Sequence, residues 1–183
     1  ALTSGASNTA VGFQAGLAIT VGDYNTILGH NALALEVGGQ NSVAIGSAAL
    51  YTQDGGDTDT AMDNIGIGRN AGYHNVTGTD NTWVGNSAGT GASGNSNSNN
   101  VGVGSSALTA ITTGSQNVII GSNAGDSVTI GGDNVAIGFN ALVTEDVGDR
   151  AVAIGSHSLY SQNSNADNED SLNTAVGHAS GYG

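Results

Sequence analysis

One short motif recurs ten times in this chain of 183 residues, and that recurrence constrains the fold more than any other feature. Its common form is Asn, two small or β-branched residues, an aliphatic residue, Gly, two variable residues, Ala, then Gly or Leu. It opens as NTAVGFQAG at Asn8. The central glycines are Gly12, Gly29, Gly46, Gly68, Gly85, Gly104, Gly121, Gly138, Gly155 and Gly177, with successive spacings of 17, 17, 22, 17, 19, 17, 17, 17 and 22. A 17-residue unit cannot bury a face alone, but it can form one coil of a stack in which each coil covers the next. A helix is excluded, because the glycines and the period-2 rows described below both disfavour it.

A longer period lies over the short one. Residues 1–74 align without a gap on 110–183, at an offset of 109, with 28 of 74 positions identical. The 22-residue spacing recurs at the equivalent place, so that YTQDGGDTDTAMDN from Tyr51 corresponds to YSQNSNADNEDSLN from Tyr160. The chain reads as one repeat array over 1–183 with no internal domain boundary. Because it starts and stops inside the larger module without an atypical end unit, the array is expected to continue end to end.

Each position in the unit has a physical reading. The residue before the central Gly is always aliphatic (Val11, Leu28, Ile45, Ile67, Val84, Val103, Ile120, Ile137, Ile154, Val176), and two residues earlier it is always β-branched. By strand alternation these two rows share one face, read here as the lumen of the coil. The residue between them points the other way. That row is Ala10, Ile27, Ala44, Gly66, Trp83, Gly102, Ile119, Ala136, Ala153 and Ala175, none of them polar. A strand apolar on both faces is buried on both, so this row is the expected oligomer interface. Asn recurs four residues before the central Gly in eight of ten units, where it can tolerate left-handed backbone and hydrogen-bond the amide above it. Gly22, Gly39, Gly78, Gly114, Gly131 and Gly148, ten residues past the centre, read as a second corner with positive φ.

Composition narrows the function. Two arginines, no lysine and 15 acidic residues give a formal charge of −13, which repels nucleic acid and anionic lipid surfaces. No segment reads as a membrane insertion or a signal peptide. The absence of cysteine removes thiolate nucleophiles and Cys-ligated zinc. All 15 acidic residues fall outside the nine-residue motif segments, which divides the coil into a dry edge and an acidic, wet one.

Few residues invite chemistry. His30, His74, His157 and His178 have no zinc-site spacing, and no Gly-x-Ser-x-Gly elbow is present, so neither a catalytic nor a cofactor site is expected. The long loops are the best binding candidates. Asp54, Asp57, Asp59 and Asp63 crowd one, and Asp167, Glu169 and Asp170 its counterpart, offering oxygen ligands for calcium. Tyr51 with Tyr160, and Tyr73 with Tyr182, occupy equivalent places and read first as packing, second as platforms for a sugar ring.

The segments NTAVG at Asn8, NSVAIG at Asn41, NVAIG at Asn134 and AVAIG at Ala151 resemble the head repeats of trimeric autotransporter adhesins and the related repeats of bacteriophage tail fibres. The resemblance spans all ten units. It implies a left-handed parallel β-roll, three chains about a common axis, extracellular or virion exposure, and attachment to surfaces. The chain departs from the adhesin pattern in its 17-residue unit, longer than is usual in those heads, and in showing no stalk, heptad coiled coil or anchor. The expectation is therefore an all-β parallel β-roll, or β-solenoid, of about ten coils, a homotrimer acting as a non-enzymatic extracellular structural and adhesive fibre segment. It would present acidic loops to a surface receptor or glycan. The alternatives are a self-assembling filament or sheath subunit and a bacteriophage tail-fibre shaft. An ice- or mineral-binding solenoid ranks below them, because Thr fills only four of ten places in its best row.

Overall fold

Each motif forms a three-residue strand, because β-branched and aliphatic residues flank a small or apolar one between an Asn corner and a Gly corner. The computed structural model describes residues 4–164 and 170–182. Its motif strands are β1 (Thr9–Val11), β2 (Thr26–Leu28), β4 (Val43–Ile45), β6 (Ile65–Ile67), β7 (Thr82–Val84), β8 (Val101–Val103), β9 (Val118–Ile120), β10 (Val135–Ile137), β11 (Val152–Ile154) and β12 (Thr174–Val176). They form one ten-stranded parallel sheet in which every neighbour is the next repeat. The short strands β3 (Gly39–Gln40) and β5 (Thr60–Ala61) pair separately, at the base of the first long loop. Among the described residues there is no helix, and the chain winds as a β-solenoid of about nine turns.

Register does not slip along the stack. Thr9 lies opposite Thr26, Thr26 opposite Val43, and so on to Val152 opposite Thr174. Backbone pairing also continues round the other sides: Leu33 N–H donates to Ala49 O, and Thr20 N–H to Val37 O. Both long insertions leave this register intact, with Val43 opposite Ile65 and Val152 opposite Thr174.

The faces of the strand are reversed from the sequence expectation. Ile27, Ala44, Gly66, Trp83, Gly102, Ile119, Ala136, Ala153 and Ala175 turn into the lumen and are buried within the single chain, so they are not the oligomer interface. Ala10 belongs to the same inward row, but in the first coil it remains exposed. The two flanking rows face outward. The physical reason is space: a 17-residue coil encloses room for one narrow column at the strand, and two bulky β-branched rows do not fit inside it.

What fills the lumen is a set of complementary volumes. In six of the ten coils the middle residue of the strand and the residue four places past its central Gly trade size, as in Trp83 with Gly89, Ile119 with Gly125, Ala44 with Leu50 and Ala136 with Leu142; Ile27 and Leu33 are both large, and the space at Gly66 and Gly72 is taken by Leu50 and Trp83 of adjoining coils. Trp83 is fully buried, and a Cβ on Gly72, Gly89 or Gly102 would overlap its ring. A column of alanines (Ala32, Ala49, Ala71, Ala88, Ala107, Ala124, Ala141) completes this side with no solvent exposure.

Two corners define the coil. The central glycines hold φ between 127° and 144°, and a methyl on Gly12 would meet the Gly29 carbonyl oxygen at 2.5 Å, so both conformation and stacking demand glycine there. At the other corner the expected Asn ladder forms. Asn117 N–H donates to Asn100 Oδ1 (3.0 Å), Asn134 N–H to Asn117 Oδ1 (3.0 Å) and Ala151 N–H to Asn134 Oδ1 (2.8 Å). The positive φ belongs to the residue before each Asn, such as Tyr24 and Gln116, instead of to the Asn. The glycines ten residues past the centre, Gly22 to Gly148, also lack positive φ; they are needed for close approach, since a methyl on Gly131 would meet Gly148 O at 2.5 Å.

Candidate functional site

The long loops were the expected site, and their bases are tied inward. Asp57 and Asp59 are exposed at the tip of the first loop, as is Asp63 beyond it, while Asp54 turns back to accept the Gly56 N–H at 2.9 Å. Among the described residues no three carboxylates or imidazoles come together closely enough to hold a metal. Asp54, Asp57, Asp59 and Asp63 are thus not gathered into one ligand set. In the second loop Asp170 pairs with Arg150, an exposed contact, and Asp167 and Glu169 lie outside the described residues.

The carboxylates that the fold does organise are Glu36 and Glu145, equivalent residues of the two modules and both fully buried. Glu36 accepts the backbone N–H of Gly39 and of Gly55 (2.8 Å) on Oε1, and the Gln53 side-chain amide (2.8 Å) on Oε2. Gln53 in turn accepts from Asn64 Nδ2 at 2.9 Å. The second copy repeats the plan. Glu145 accepts from Gly148 N–H (2.9 Å), Ser164 N–H (3.0 Å) and Gln162 Nε2 (2.8 Å), and Asn173 Nδ2 donates to Gln162 Oε1 (2.8 Å). Burial alone pushes the Glu145 carboxyl up, but the donors from Gln162, Ser164 and Gly148 outweigh it and hold the group below its ordinary value. The chemistry is anchoring: each carboxylate ties the start of a five-residue insertion to the stack. Sequence reasoning placed these glutamates on the wet edge. The signal it passed over was their recurrence at an offset of 109, each followed 17 residues later by Gln.

The histidines and tyrosines gather on the outer surface. Tyr51 stacks on Tyr73, and Tyr160 on Tyr182, each with ring centroids 4.9 Å apart, which is the packing expected of them. His157 lies among Phe139, Tyr160, His178 and Tyr182, and its Nδ1 is 2.9 Å from Ser156 Oγ. No carboxylate hydrogen-bonds this imidazole among the described residues, so the Ser–His contact lacks the acid that orients a base.

The outer face of the sheet runs the length of the stack. Its two rows are all β-branched or aliphatic, and the best exposed side chains include Val11, Leu28, Ile67, Val118, Ile120 and Val176, at 36–66%. No charged residue interrupts either row. Compared with known proteins, the chain matches no family model, no curated protein and no solved structure.

Proposed function

We propose that this chain is a non-enzymatic, extracellular structural and adhesive fibre segment, assembled as a homotrimer with the left-handed winding that the adhesin resemblance implies. One observation carries the reading: a solenoid with a filled lumen also presents an uncharged outer face of two rows, one wholly aliphatic and one of Val, Ile and four Thr. A strip of that length on a soluble rod marks an interaction surface, because monomers rarely leave contiguous apolar patches uncovered. The occupant proposed is the same face of two further copies, related by a rotation that returns each row to itself. The rod then holds the acidic loop tips, Asp57 and Asp59 among them, outward at a fixed distance from its base.

Light scattering tests the assembly. The expected mass is three times the 17.8 kDa of one chain. Ile120→Glu, on the outward row, should give a folded monomer by circular dichroism, since the charge has water in the monomer and none in the assembly. A wild-type chain that is monomeric and folded at micromolar concentration would contradict the reading, as would an Ile120→Glu variant of unchanged mass.

A further inference from the structure

The two modules place equivalent residues on the same scaffold, so the differences between them isolate what each surface does. Inward positions keep their character: Ile19 corresponds to Val128, Glu36 to Glu145 and Gly39 to Gly148, all buried. The outward positions beside them do not. Leu17 corresponds to Asp126, Ala18 to Ser127, Leu35 to Thr144 and Val37 to Asp146. In the first module Leu17 and Leu35 are exposed apolar side chains. In the second, the substituted residues line an open cleft of about 460 Å³ together with Thr109 and Asn163.

The groups facing this cleft are oxygen-rich; Thr144 Oγ1 is already committed, donating to the Tyr160 and Gln162 carbonyls, while others keep free oxygens. Among the described residues the Asp126 carboxylate and the Ser127 hydroxyl have no hydrogen-bond partner, and Thr109 Oγ1 is buried without one. Asp146 takes a bond from Thr129 on one oxygen and keeps the other. The lining residues come from four successive coils, so the acceptors repeat along the axis at the coil spacing of about 4.8 Å. That spacing is close to the rise of successive rings in an extended glycan. Carboxylates accept well from pairs of sugar hydroxyls, and two of them with no cation in the lining disfavour an anionic ligand.

We infer that this cleft binds a neutral, extended oligosaccharide lying along the solenoid axis. The inference deepens the fibre reading and rests on it for where a glycan is met. Calorimetry on the whole chain, with cellotetraose and chitotetraose as neutral probes and tetragalacturonate as the anionic one, tests it. At least one neutral probe should bind and tetragalacturonate should not. The D126L/S127A variant, carrying the first module's own Leu17 and Ala18 at these places, should melt as the wild type does and bind at least tenfold more weakly. Asp126→Asn keeps the shape and should weaken binding in the same direction if the double variant fails to fold. The inference is overturned if wild type binds neither neutral probe, if the folded variants bind as wild type does, if tetragalacturonate binds equally, or if calcium alone occupies the cleft. Light scattering on the same samples separates the two readings. An oligomer indifferent to saccharide overturns only the cleft, and a monomer that binds it supports the cleft while overturning the assembly.

Discussion

Glu145 is a buried anion with only neutral donors around it, from Gln162, Ser164, Gly148 and Ser171. With its folded pKa held below the ordinary 4.5, it stabilises the fold above that value, and the contribution is lost as pH falls through the folded pKa. Glu145→Gln should therefore melt lower than wild type at pH 7, by roughly 3–10 °C for the loss of about 1–3 kcal/mol. The gap should narrow as pH drops below about 4.5. Thermal melts from pH 3 to 7 read this directly, and a gap constant across that range would assign the loss to packing alone. The residue was not legible beforehand, because a Glu in a variable, acidic segment reads as solvated and only the folded corner supplies the backbone N–H groups that justify burying it. The Asn ladder, by contrast, was legible from residues such as Asn117 and Asn134, since identical side chains in one corner of successive coils have the same partner above each time.

At the scale of the element, the insertions are two-part structures. Gln53 is buried and holds Glu36, Ser42 and Asn64, whereas the tip at Asp57–Asp59 is exposed. Deleting Asp57–Ala61 leaves Gly55-Gly56 where the preceding coil has Gly38-Gly39, and restores a 17-residue unit. The shortened chain should melt within about 4 °C of wild type, because loop length costs little entropy. Gln53→Ala, which removes no loop, should lower the melting temperature more by leaving Glu36 Oε2 and one Asn64 side-chain N–H unpaired. The reverse ranking would show that the β3–β5 pair, and not the glutamate anchor, closes this turn. The strands themselves were legible to the residue from the period-2 rows. Their sidedness was not, because both faces of Val43–Ile45 are apolar and hydrophobicity alone cannot say which is inside. The complementary sizes of Trp83 with Gly89 and of Ile119 with Gly125 held that information, since residues that trade volume share one space.

For the whole molecule, apolar attraction and charge repulsion would act together on the proposed trimer. Each chain carries −13, so three copies brought together repel, while the contact face itself is uncharged. Association should therefore strengthen with salt. Raising sodium chloride from about 10 to 150 mM shortens the screening length from about 30 to 8 Å, and sedimentation should show the oligomer persisting at lower protein concentration; weakening with salt would point to charge pairing instead. The unbroken register has a further consequence for how such a chain can change over evolutionary time. A recombination that gains or loses one 109-residue module inserts or removes six coils, a step of roughly 29 Å. Because each coil touches only its neighbours, that step leaves every remaining joint as it was. Reach is then set by copy number in the gene, and a lineage can lengthen or shorten its rod without having to solve the folding problem again.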